Sequence, residues 1–184
     1  MSDPIIIIVS GPGGAGKGTI VSTLVDRDPQ LWLSRSWTTR PQREGESDSA
    51  YVFVSRADFE QRIAEGGFLE WTEFLGNLYG SPLPSVDTGQ DIVLEIELHG
   101  AQQVKLQHPE AILVFVQPPS RDEQQRRLQG RGDSPEHVVE RLRKAEEEER
   151  LGAEQADVVV VNDDLERAVG EIEGIIGAAR DARR

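Results

Sequence analysis

The chain has 184 residues, enough for one well-buried domain and too few for two comfortable ones. A formal net charge of -13 excludes a broad, sequence-independent nucleic-acid surface, which needs clustered Lys and Arg to displace counterions. The absence of cysteine excludes disulfides and thiolate metal sites, and it suits a reducing, cytoplasmic compartment.

Ile5 to Val9 is a continuous run of β-branched residues that predicts a short buried strand, and it is too short for a signal peptide or a membrane span. It leads straight into GPGGAGKGT, Gly11 to Thr19. Gly11, Gly13, Gly14 and Gly16 can take dihedrals forbidden to side chains, so the loop amides, with Pro12, Ala15 and Gly18 completing the spacing, can converge on an anion. Lys17 adds a mobile full charge where a helix over Thr19 to Asp26 should begin. Strand, glycine loop, lysine and helix in that order predict a nucleotide phosphate site.

A short apolar strand then gives way to a polar loop running from Ser36 to Glu46, in which Arg40 and Arg43 stand three apart. Paired guanidinium forks suit a second phosphate, although loop arginines are also commonly just solvated. From there to residue 90 the pattern shifts to alternating short strands, Tyr51 to Val54 and Phe68 to Leu75, around a helix over Arg56 to Glu65. That pattern predicts an inserted, partly antiparallel subdomain. Pro82 to Gln90, with Pro84 and Gly89, predicts a loop or single turn.

Beyond it, Ile92 to Leu98, Ile112 to Val116 and Val158 to Val161 read as continuous apolar strands. Gly100 to Gln107, Ser120 to Gln129, Pro135 to Gly152 and Leu165 to Arg180 supply helical crossovers, so the fold class is α/β with a parallel sheet flanked by helices. Glu95 and Glu97 sit two apart on the run Ile92 to Leu98, which puts both carboxylates on one face at its C-terminal end, where ligands bind in open α/β sheets. The run Glu146 to Glu149 reads as a solvated helix face, and Asp163 and Asp164 as caps of the last helix. The histidines at 99, 108 and 137 have no metal-ligand spacing.

The phosphate loop, SWTTRPQREGE, YVFVSRADF, FLEWTEF, GNLYGSP, LEIELHGAQQV, FVQPPS, RRLQGRGD and VVVNDDL occur in the order and with the spacing of the guanylate kinases, which move a phosphoryl group from ATP to GMP. The chain resembles that family from about Ile5 to Ile176. The resemblance implies one domain over residues 1–184: a P-loop core of 1–34 and 91–184, a GMP-binding subdomain of about 35–90 and a lid of about 126–145. It implies that Arg40, Arg43, Tyr51 and Tyr79 hold the acceptor phosphate while Ser36, Glu70 and Ser81 face the base. Guanine presents two adjacent N–H donors beside a carbonyl, so a carboxylate such as Glu70 pairs with the donors, whereas adenine would leave it unmatched.

The same resemblance places Glu95 and Glu97 near the acceptor and a hydrated Mg2+, closes Arg127, Arg131 and Arg141 over the ATP phosphates, and sets Asn162 beside the adenine. Lys17, Arg40 and these lid arginines are the expected catalytic set. GMP or its deoxy form is the expected acceptor, with no membrane partner and a monomer or homodimer as the assembly. The chain departs from the family pattern at Gly18, where a Ser or Thr often reaches the metal, so Thr19 is the expected hydroxyl. It also departs at Ala50, Leu78, His99 and the short 82–90 stretch. A phosphopeptide-binding scaffold relative and a kinase of ribosyl phosphates are the competing readings; the intact Lys17 loop opposes the first, and the Ser36, Glu70 and Ser81 set the second.

Overall fold

The computed structural model describes residues 4–42, 45–48, 51–74, 76–83, 89–130 and 135–183. Strand β1 (Ile6–Ser10) runs into the glycine loop and helix α1 (Lys17–Arg27), followed by β2 (Leu31–Leu33) and β3 (Trp37–Thr38). Next come β4 (Val52–Phe53), α2 (Arg56–Ala64), and the pair β5 (Phe68–Phe74) and β6 (Asn77–Pro82). The chain then returns through β7 (Asp91–Glu95), α3 (Leu98–Gln107), β8 (Ile112–Gln117), α4 (Arg121–Gly130), α5 (Pro135–Gln155), β9 (Val158–Val161) and α6 (Leu165–Asp181).

Five strands form one parallel sheet in the order β2-β7-β1-β8-β9. Its apolar runs are unbroken because both faces are covered. Ile5, Ile7 and Val9 pack with Ile20 and Leu24 of α1 and Ile172 of α6, whereas Ile6 and Ile8 face Leu98, Ala101 and Val104 of α3. Strand β1 lies at the centre, so the loop that follows it emerges at the middle of the sheet's C-terminal edge.

A second sheet in the order β4-β3-β6-β5 forms the inserted unit, with β3 parallel to β4 and the other pairs antiparallel. Phe59 of α2 stacks on Phe68 at 4.5 Å between centroids and seals its underside. Leu69 of β5 joins the α3 side of the main core, which fixes the small sheet against the large one.

Several expected boundaries move for identifiable reasons. Trp37–Thr38 is a strand inside the expected polar loop, and Asn77–Pro82 is a strand where the sequence offered only a motif. Pro82 ends β6, residues 84–88 lie outside the described residues, and Leu75 does too. Strand β7 stops at Glu95; Glu97 is not on it but holds the N-cap position of α3 in an extended conformation. Helix α5 runs through Gly152 to Gln155 instead of ending there. This glycine is a packing site: a Cβ on it would run into the Phe115 ring. Gly152→Ala is therefore expected to overpack the core by about 1–3 kcal/mol, lowering the thermal midpoint by roughly 2–10 °C in a calorimetric scan. An unchanged midpoint would refute the close approach.

Candidate active site

The glycine loop is shaped by its neighbours. Gly11, Gly14 and Gly16 all have positive φ, at 148°, 84° and 91°. A side chain at Gly11 would run into the Val116 carbonyl and one at Gly16 into the Asn162 amide, so two of these positions require glycine for space as well as for conformation. Gly16 is the N-cap of α1 and offers no side-chain oxygen to the first helical amides, which leaves them for an anion.

The loop carbonyls are tied back from the other side. Gln124 Nε2 donates to Gly13 O at 2.7 Å, Asn162 Nδ2 donates to Ala15 O at 2.8 Å, and Arg127 Nη1 reaches the Gly14 and Ala15 carbonyls at 3.4 and 3.2 Å. Arg127 Nη2 also donates to Asn162 O at 3.0 Å, and its Nε to Glu123 at 2.8 Å. Because a trans peptide points its N–H opposite to its C=O, holding these carbonyls outward turns the Gly14 and Gly16 amides inward.

Lys17 is buried, and its ammonium donates to the Gly11 carbonyl and, at 3.4 Å, to the Pro12 carbonyl. Two acidic side chains act on it, and a third stands by the next residue. Glu97 Oε1 is 3.9 Å away, and Glu95 stands over Gly18, where a Cβ would lie 3.5 Å from either carboxylate oxygen. Glu148 of α5 completes the group: its carboxyl is pushed up to about 7, first by burial and then by Glu97, with Lys17 opposing the shift.

In the small sheet, Glu70 and Ser81 are cross-strand partners. Glu70 is 5% exposed, and its Oε1 accepts from Ser81 N at 3.0 Å and Ser81 Oγ at 2.7 Å. Its other oxygen lies close against Gly100, where a Cβ would come within 2.8 Å. Burial raises the Glu70 carboxyl above the usual range, with the Ser81 bonds and His99 opposing. Ser36 is half-buried, and its carbonyl accepts from Val52 N at 3.0 Å.

Beside this pair, Arg40 makes a two-pronged ion pair with Glu46 at 2.7 and 2.9 Å and lies 5.4 Å over the Tyr51 ring. Tyr51 and Tyr79 meet edge to face at 6.2 Å. The Tyr51 hydroxyl is pushed up to about 12, first by burial and then by Glu95 and Glu97, with Arg40 opposing. It is a hydrogen-bond donor at neutral pH, with Arg40 over its ring.

Among the expected site residues, Arg141 is beside the loop, with its Nη1 3.8 Å from the place of a Gly13 Cβ, and Thr19 is exposed in the first turn of α1. Arg43 and Arg131 lie outside the described residues. The acidic run on α5 is not uniformly solvated: Glu146 and Glu147 are exposed, whereas Glu148 and Glu149 turn inward and Glu149 pairs with Arg121 at 3.3 Å. Helical spacing carries the signal, because Arg141, Ala145, Glu148 and Gly152 form one stripe. Gln124 also escaped the sequence reading; its mark is a polar residue four before Leu128 on a buried face.

Glu70 makes the ligand-free protein sensitive to pH. Its folded pKa is raised, so its contribution to stability is present below the unfolded carboxyl pKa and is lost as pH rises through the folded one. Glu70→Gln does not titrate and keeps an oxygen for Ser81. Its thermal midpoint is expected to exceed the parent's at pH 8, with the gap closing toward pH 4.5; a gap that widens on acidification would contradict the assigned environment.

The guanylate kinase family profile matches residues 3–179. A guanylate kinase from Nostoc sp. is 48% identical over 174 residues, 91% of this chain and 87% of that protein. One from Symbiobacterium thermophilum is 47% identical over 182 residues, 96% and 86% of the two chains. The crystal structure of guanylate kinase from Anaplasma phagocytophilum matches with a TM-score of 0.76 at 30% identity, covering 99% of this chain and 87% of that one. With a phosphate loop at the sheet edge and a family match spanning nearly its whole length, the chain belongs to the guanylate kinase family.

Proposed function

We propose that this protein is an ATP-dependent guanylate kinase that transfers the γ-phosphoryl of ATP to a phosphate oxygen of GMP, giving ADP and GDP in the cytoplasm. The observation that carries the reading is a buried lysine on a glycine loop at the sheet's C-terminal edge, with Glu97 3.9 Å from its ammonium, in a fold that also sets Arg40 over Tyr51 and buries Glu70 against Ser81. A protein of net charge -13 that concentrates cations at these two points suits two anionic substrates held head to head.

The loop amides from Gly11 to Thr19 and the Lys17 ammonium hold the ATP phosphates, while Arg40, Arg43, Tyr51 and Tyr79 take the GMP phosphate. Glu70 accepts from the two guanine N–H groups, and Ser36 and Ser81 serve the neighbouring edge. The acceptor oxygen is already anionic, so no protein base is needed. A bond forms from that oxygen to the γ-phosphorus as the bond to the β,γ-bridging oxygen breaks, and its electron pair leaves with ADP. Catalysis is then positioning and charge neutralisation, with Arg131 and Arg141 closing from the lid, about 126–145, and Arg127 holding positive charge behind the loop.

Thr19 and Glu95 put a hydroxyl and a carboxylate beside Gly18, a hard-oxygen set that fits a largely hydrated Mg2+ arriving with ATP. Bound there, the ion neutralises charge on the β- and γ-phosphates. Among the described residues no cluster of three His, Cys, Asp or Glu is poised to hold a metal, in keeping with an ion that the nucleotide brings.

In a coupled ADP-release assay with ATP, Mg2+ and each nucleoside monophosphate, GMP is expected to be preferred; equal rates with AMP or UMP would sink the assignment. Glu70→Ala is expected to lower kcat/KM for GMP by about a thousandfold and to erase the preference, because the base then loses its matched acceptor. Lys17→Met is expected to lower kcat by at least about a hundredfold while the GMP KM holds, since its charge acts on the transferring group.

A further inference from the structure

The Gly13–Gly14 peptide is the part of the phosphate loop whose orientation backbone sterics leave open. Glycine flanks it on both sides, and Gly14 sits at a φ of 84°. Neither residue has a Cβ to oppose a rotation of the peptide plane. Turning that plane over would aim the Gly13 carbonyl into the cradle and the Gly14 amide out of it, placing a lone pair where a phosphate oxygen must sit. Something outside the loop must choose between the two faces.

Gln124 is placed to make that choice. Its side chain is 0% exposed, and its Nε2 donates to Gly13 O at 2.7 Å. A glutamine amide could present either end, and an Oε1 turned to Gly13 would repel the carbonyl. Arg121 removes the ambiguity. Its Nη1 donates to Gln124 Oε1 at 2.7 Å, and because a guanidinium has only donors, the oxygen must face the arginine and the NH2 must face the loop. Arg121 Nη2 in turn pairs with Glu149 of α5 at 3.3 Å, so a hydrogen-bonded line runs from the lid helix through α4 to the loop. The contact is also steric: a Cβ on Gly14 would lie 3.0 Å from Gln124 Cγ.

We propose that Gln124 is a positioning residue for the ATP phosphates, holding the Gly13 carbonyl outward so that the Gly14 amide faces the nucleotide, with Arg121 and Glu149 fixing the orientation of its amide. The proposal rests on the kinase reading for the identity of the nucleotide but not for its test, which is ATP binding alone. A residue that served only the core would weaken both substrates together and lower the unfolding temperature. Gln124 is predicted to act on one substrate.

Three variants separate the possibilities. Gln124→Met keeps length and apolar contact but has no donor, and by titration calorimetry with MgATP it is expected to bind about tenfold more weakly. Gln124→Glu retains the bond from Arg121 while setting an oxygen against Gly13 O, so its loss is expected to be greater still. In both, the dissociation constant of GMP and the thermal midpoint stay within error of the parent, and in turnover the ATP KM rises while the GMP KM does not. Arg121→Met frees the amide to rotate and is expected to weaken MgATP by about threefold. Unchanged ATP binding in both Gln124 variants, or equal weakening of ATP and GMP, overturns the proposal; unchanged binding in Arg121→Met removes Arg121 and Glu149 from it. A parent protein that binds MgATP but fails to phosphorylate GMP would count against the functional reading and leave the Gln124 result standing.

Discussion

A glycine-rich loop has no side chains with which to hold its own shape, and in this protein that shape is imposed from behind. Side chains from α4 and from the turn after β9 seize the carbonyls of Gly13, Gly14 and Ala15, and the amides on the other side are thereby turned toward a single point. The rest of the structure serves this arrangement. The parallel sheet delivers the loop at its central strand, α1 begins uncapped at Gly16, and α6 and α3 bury the two faces of the sheet so that β1 cannot shift. The freedom that lets glycines wrap an anion is a cost in chain entropy, offset by external hydrogen bonds that cannot be read from the loop itself.

Electrostatics supplies the second constraint. Lys17 carries a positive charge in a chain of net -13, with Glu97 and Glu148 near it and Glu95 beside the neighbouring Gly18. Those carboxylates would repel a polyphosphate if they stood bare. Glu95 and Glu97 also add to burial in raising the Tyr51 hydroxyl. Arg40 shows the same economy. Its fork is filled by Glu46, an anion of the chain's own that holds the guanidinium over the Tyr51 ring.

What could be read from the sequence was what local pattern determines. The β-branched run at Ile5 to Val9, the glycine spacing and the long helices other than α5 fall within a residue or two of their observed limits, because periodicity and capping act over a single turn. The two-residue strand Trp37–Thr38 left no trace, since its existence depends on Gly80 and Val52 lying alongside. The alternation that put Glu95 and Glu97 on one face held only while the strand lasted, and β7 ends at the first of them. Gly152 looked like a terminator because nothing in the sequence announces that Phe115 will lie against it. Gln124 and Glu148 were invisible for a related reason: each is an ordinary polar residue on a charged helix until the fold turns that side inward.

The contact between Gly152 and Phe115 sets the mechanics of helix α5. Without a Cβ, the helix backbone rests directly on an aromatic ring of the central sheet, giving it a fulcrum near its C-terminal end. Arg141 is eleven residues away, about 16 Å along the axis at 1.5 Å per residue. A tilt of roughly ten degrees about that bearing would swing the guanidinium by about 3 Å, the width of one hydrogen bond, while the pivot itself barely stirs. Helix α5 is thus pinned where its smallest residue meets the sheet, with its long arm ending at Arg141 beside Gly13.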